Sequence, residues 1–171
     1  MSGSDNWHDF YLGLGAAAAT LTGLVLVALS LHPTRLLQQP LFRTRALGVL
    51  AGMLTVSVAS FVLLIPERLL IWSAATEVAF GLGGLLSLIV MSLRVRGEPG
   101  FIWLPAAAGI VAFLTATAGG VSLILDKAGD LGFGLLAVGL LGGLLTWSWN
   151  GWRLIVYVEP NPVDKKNEQL N

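Results

Sequence analysis

Five continuous apolar stretches, each of about twenty residues or more, take up most of this 171-residue chain and leave it few ways to fold. They cover 10–31, 46–65, 69–93, 103–125 and 131–152. A helix needs roughly 20 apolar residues to cross about 30 Å of hydrocarbon. Spanning strands are shorter and alternate apolar with polar residues, which these runs do not do. In lipid the backbone must satisfy its own polar groups, and a helix does so within one segment. The expected fold class is therefore all-α, an integral membrane helical bundle with five transmembrane helices. One transmembrane domain is expected over 1–158, with a short polar tail over 159–171.

The breaks between the stretches read as turns. His32-Pro33 closes the first, since proline cannot continue the helical ladder and restrains the residue before it. Pro66 closes the second, and the segment 97–100 separates the third from the fourth. A polar turn at 126–130 (DKAGD) precedes the fifth, and Pro160 and Pro162 end the helical part.

Basic residues orient the spans, because cytoplasmic loops carry an excess of Lys and Arg. Arg35, Arg43 and Arg45 follow the first span, Arg94 and Arg96 the third, and Arg153, Lys165 and Lys166 the fifth. Only Arg68 and Lys127 fall on the other side. Five spans then place the amino terminus outside and the carboxyl terminus in the cytoplasm. The opening MSGSDNWHD has two acids and no Lys or Arg, unlike a signal peptide, and a short acidic segment translocates easily.

Composition narrows the function classes. Only 12% of residues are charged, the formal net charge is zero, and there is no cysteine. Thiol redox chemistry, disulfide scaffolds and cysteine-ligated metal sites are excluded. The neutral balance argues against nucleic acid as a partner. His8 and His32 flank the first span and so lie a membrane thickness apart, which gives no metal or haem pair. Zinc-protease, nucleophile-elbow, Walker and dinucleotide fingerprints have no suitable context. No enzyme activity and no cofactor are expected.

Three patterns remain. Gly15, Ala19 and Gly23 are four residues apart, and small residues so spaced let two helices approach closely, within one subunit or between subunits of a homo-oligomer. Hydroxyl pairs occur at Thr20 and Thr22, Thr55 and Ser57, and Thr115 and Thr117, each near mid-span. They could line a polar path, or simply bond carbonyls of their own helices. Glu77 is the ionisable residue inside a span, about 12 Å inward at 1.5 Å per residue if the third helix starts at Leu69. A carboxylate at a helix centre costs roughly 3 kcal/mol on insertion scales, so such a residue is a functional candidate that could exchange protons or bind a cation. A helix starting near Ser73 would instead leave Glu77 close to the headgroups.

The ends of the spans read more simply. Asp9 and Asp130 precede helices and suit N-cap positions. Trp7, Phe10, Tyr11 and Trp72 fit one interfacial aromatic belt, and Trp103, Trp147, Trp149 and Trp152 the other. Trp149, Trp152 and Arg153 share a helical face on which a lipid headgroup or a membrane-protein partner could dock. Arg35, Arg43 and Arg45 suit an anionic inner leaflet, each contributing about 1 kcal/mol.

The opening WHDFYLGLGAAAATLTGLVLVALSLHP resembles the start of small, uncharacterised prokaryotic multi-pass membrane proteins, in which an aromatic pair precedes a Gly/Ala/Thr helix ending in a VALSL-like stretch. The resemblance covers about 27 residues. It implies a bacterial or archaeal plasma membrane and adds no site residues. Two functions fit these patterns: an oligomeric channel or transport protein for a small cation or proton, and a non-catalytic membrane subunit that binds a partner membrane protein.

Overall fold

The computed structural model describes residues 3–31, 40–65, 70–95, 103–125 and 129–156, and these form five helices. They are α1 (Gly3–Ser30), α2 (Pro40–Val62), α3 (Leu70–Val95), α4 (Trp103–Ile124) and α5 (Gly129–Val156). Arg35, Arg68, Arg96, Lys127, both lysines of the tail and the turns around Pro33, Pro66 and Asp126 lie outside the described residues.

Four helices contain stretches long and apolar enough to cross a membrane: Trp7–Ser30, Phe42–Val62, Ala107–Ile124 and Asp130–Val156. The described apolar stretch of α3 is shorter, Ala74–Leu86. Every helix also turns large aliphatic side chains outward, among them Leu24, Leu54, Leu86, Val111 and Leu145, each at least half exposed. A water-soluble monomer rarely exposes contiguous apolar surface on that scale. The chain is a multi-pass helical membrane protein.

Successive helices run antiparallel. The start of α1 meets the start of α5, where Tyr11 bonds Phe133, and the end of α2, where Phe61 lies on Gly15. The start of α3 meets the end of α4, where Gly120 lies against Ala74 and Val78. The α4–α5 pair is the most extensive contact, followed by α3–α4 and α1–α2; α5 also packs on α2 and α1, while α2 touches α3 lightly. The helices α2, α3, α4 and α5 thus close a ring, and α1 fills the groove between α2 and α5.

Small residues make this possible. A Cβ on Gly139 would stand 2.5 Å from the Ala116 nitrogen, and one on Gly119 would stand 2.7 Å from the Leu136 nitrogen. The α4 and α5 backbones therefore approach closely because these positions lack a side chain. Two apolar clusters fill the interior. One holds Tyr11, Leu14, Ala18, Val56, Ala74 and Leu136, at the end where α1, α3 and α5 begin. The other holds Val25, Leu29, Val49, Met53, Phe113 and Trp147, at the opposite end. Buried positions on α1 (Tyr11, Leu14, Ala18, Thr22, Val25, Leu29) recur every three or four residues, the period of one helical face.

Several boundaries differ from the sequence reading. Helix α1 begins by Gly3, seven residues before the apolar stretch, so Asp9 stands inside the helix and is not an N-cap. Gly3, Ser4, Asp5 and Asn6 are weak helix formers, and they extend a helix already nucleated by the apolar stretch, where adding a turn costs far less than starting one. Helix α2 begins at Pro40, the residue type that suits a first helical position because its missing N–H is not needed there. Arg43 and Arg45 are consequently helical, not part of a connecting loop. Helix α2 ends at Val62, and the next turn tightens through Leu64 N to Phe61 O (3.1 Å) and Ile65 N to Val62 O (3.2 Å). Helix α5 continues to Val156, which puts Arg153 on its last turn; Asp130 lies in its first turn.

Candidate functional site

Glu77 is buried, at 1% exposure, inside this apolar interior. It lies seven residues into α3, about 10 Å from the helix start at 1.5 Å per residue. The helix begins by Leu70, earlier than Ser73, and neighbouring helices cover the side chain. Ala74 and Phe80, one turn to either side, belong to or pack against the larger cluster, to which all five helices contribute. Gly81, the next residue on the same face, is covered by the Thr117 side chain of α4. The Glu77 Oε1 atom has no hydrogen-bond partner among the described residues. A buried polar atom left in that state costs free energy, and a charged one costs more.

Tyr11 of α1 belongs to the same apolar cluster as Ala74, one turn before Glu77. It is 1% exposed, and its hydroxyl donates to the Phe133 carbonyl at 2.6 Å. Its ring packs on Phe133 (centroids 6.4 Å) and Phe10 (5.5 Å). Tyr11 thus faces the bundle interior and not the lipid. The α1 face that carries Leu14 and Ala18 carries Tyr11 one turn earlier, and that face points at α5. Ser60 of α2 is also fully buried, with its hydroxyl donating to Val56 O at 2.8 Å. Neither residue stood out among the hydroxyl pairs. The signal available for Tyr11 was its register with Leu14 and Ala18.

The six hydroxyls of the mid-span pairs each donate to a backbone carbonyl and not to one another. Thr20 donates to Ala16 O, Thr22 to Ala18 O, Thr55 to Ala51 O, Thr115 to Val111 O and Thr117 to Phe113 O, all at 2.7–2.8 Å and all within their own helices. Ser57 differs, donating across to Gly15 O at 3.0 Å and tying α2 to α1. A helix carbonyl four residues back is always within reach of such a hydroxyl, so it is the default partner in apolar surroundings.

The small residues of α1 separate in the same way. Gly15 is buried against the Phe61 ring, where a Cβ would stand 2.9 Å away. Ala19 and Gly23 are exposed, and Gly23 has open space around it. A repeat of four overshoots one whole turn by about 40° each time, which carries the later two positions off the α1–α2 contact.

At the other end, Trp149 and Trp152 are exposed, at 53% and 60%, and Arg153 is half-buried beside them. Trp147 departs from that belt. It is buried, its ring lies over Gly52 of α2, and its Nε1 has no partner among the described residues. A cavity of about 220 Å³ opens nearby between α2 and α3, lined by Thr55, Phe80, Gly83, Gly84, Phe113 and Trp147. The chain matches no protein-family model, and no curated protein or solved structure is significantly similar to it.

Proposed function

We propose that this chain is a transport protein of a prokaryotic plasma membrane, working as a homo-oligomer, with Glu77 handling a small cation or proton. The observation that carries the reading is the burial of Glu77 with Oε1 unpartnered inside an apolar bundle. A structural role would supply the carboxyl group with donors; an intramembrane acid without them costs stability and returns nothing to packing. In this reading α3 crosses the membrane with the other four helices, the amino terminus lies outside and the carboxyl terminus in the cytoplasm. The plasma-membrane setting is what the resemblance of the opening segment implies. The mid-span hydroxyls Thr20, Thr22, Thr55, Ser57, Thr115 and Thr117 would then serve the path only through their oxygen lone pairs, since their protons go to helix carbonyls.

A second reading draws on Trp149 and Trp152, which present two large aromatic rings outward beside Arg153. There the protein is a non-catalytic subunit whose α5 end docks a membrane-protein partner, or anionic lipid, through rings and guanidinium together.

Flux assays on proteoliposomes separate the two. Uptake of K⁺, Na⁺ or H⁺ by wild type that Glu77→Gln abolishes supports transport. Equal permeability of wild-type, Glu77→Gln and empty vesicles to all three removes that reading and leaves the docking subunit.

A further inference from the structure

We propose that the species bound and released at Glu77 is a proton and not a metal cation. The inference deepens the transport reading and rests on the oxygen atoms available around the carboxyl group. A dehydrated cation must be met by several oxygens, from rings of carbonyls or from six or more ligands of mixed type. Glu77 brings two. The Tyr11, Ser60 and Thr117 hydroxyls donate to Phe133 O, Val56 O and Phe113 O, so none of the three donates to Oε1. Among the described residues, no three acids or histidines come together as a metal site would require. The nearest turns on α3 offer Ala74, Val78 and Gly81. A cation seated here would have the Glu77 carboxylate but, among the described residues, no cluster of three acids or histidines to hold it. A proton needs one oxygen, and Oε1 is the oxygen left without a partner.

Among the described residues, few other titratable groups lie on the helices around Glu77. Helix α1 contributes Tyr11 to the same cluster as Ala74, and carries His8 and Asp9 exposed near its start. Helix α2 carries only Arg43 and Arg45, in its first two turns at the far end, and α4 carries no ionisable residue. Helix α5 carries Asp130 in its first turn and Arg153 in its last. Asp130 is exposed and sits three residues before Phe133, whose carbonyl holds the Tyr11 hydroxyl. An exposed acid thus lies within one turn of the carbonyl that holds the Tyr11 hydroxyl. The step itself is simple: an O–H bond of a hydronium ion breaks as an O–H bond forms at Oε1, leaving water, and release to water on the other side reverses both changes.

The test uses full-length protein in proteoliposomes with a luminal pH dye and an imposed K⁺ diffusion potential, alongside uptake of radiolabelled Na⁺ and Rb⁺. Infrared difference spectra in H₂O and D₂O read the Glu77 carboxyl group directly. The proposal predicts H⁺ flux that Glu77→Gln abolishes, that Glu77→Asp partly retains and that Tyr11→Phe slows about tenfold or more. It also predicts no Na⁺ or Rb⁺ uptake, and a carboxyl C=O band that shifts in D₂O and is missing from Glu77→Gln. Glu77-dependent uptake of Na⁺ or Rb⁺ would overturn the proton assignment while leaving transport standing. A D₂O-sensitive Glu77 band without any flux would keep the proton site and overturn transport. Absence of both the band and the flux would overturn both.

Discussion

The most costly side chain in the bundle is Glu77. Burial leaves Oε1 without a partner among the described residues, and the buried Tyr11 hydroxyl donates elsewhere, to Phe133 O at 2.6 Å. Replacing buried polar groups with apolar ones of similar size is often neutral or stabilising. Glu77→Met should therefore stabilise the folded protein by about 1–3 kcal/mol while abolishing any function at the site. Thermal unfolding in detergent would show it as a higher midpoint than wild type; a lower midpoint would mean that the carboxyl group has a structural partner. That Glu77 merited attention was legible in the sequence, because ionisable residues rarely sit within apolar runs. Its burial was not, since the boundary of α3 and the helices covering it decide whether a side chain seven residues in faces protein or headgroups. Tyr11 shows the reverse: its residue type points to an interface, and its helical register puts it inside.

At the scale of helices, small residues act where a neighbouring backbone approaches, and their spacing along one helix does not reveal which ones those are. Gly139 faces the Ala116 backbone at 2.5 Å, whereas Gly23 has open space. Gly139→Ala should destabilise by about 1–3 kcal/mol, because α4 and α5 must separate to admit a methyl group. Gly23→Ala should be neutral or gain up to about 1 kcal/mol through helix propensity. Unfolding in mixed micelles measures both, and equal effects would contradict the close α4–α5 seam. The outward pair Ala19 and Gly23 also decides what α1 does between subunits. Leucine at both should leave the monomer folded and break any oligomer that uses this face. Cross-linking in membranes that gives the same species for wild type and the double variant would remove α1 from the interface. Gly15 cannot serve in that test, since Phe61 already occupies the space beside it.

For the whole molecule the open issue is the path of the chain through the bilayer, and the absence of cysteine makes it accessible to measurement. Asp9, Ser30, Ile65 and Leu93 are exposed and lie near the ends of α1, α2 and α3. Single cysteines at Asp9 and Ile65 should react with an impermeant maleimide added outside intact cells, and those at Ser30 and Leu93 only after permeabilisation. Leu93→Cys labelling from outside would mean that α3 does not cross. What the sequence alone determined is the class of molecule: apolar length and continuity are local properties, and lipid rewards them in each segment independently of the others. It also determined that the mid-span hydroxyls had carbonyl partners within reach, because those partners lie four residues back on the same helix. The tertiary structure decided the burial of Glu77, the inward turn of Tyr11 and Trp147, and the division of α1's small residues between the inside and the outside. Each depends on which helix covers which face, and antiparallel neighbours bring together residues as far apart as Tyr11 and Phe133, which no local pattern relates.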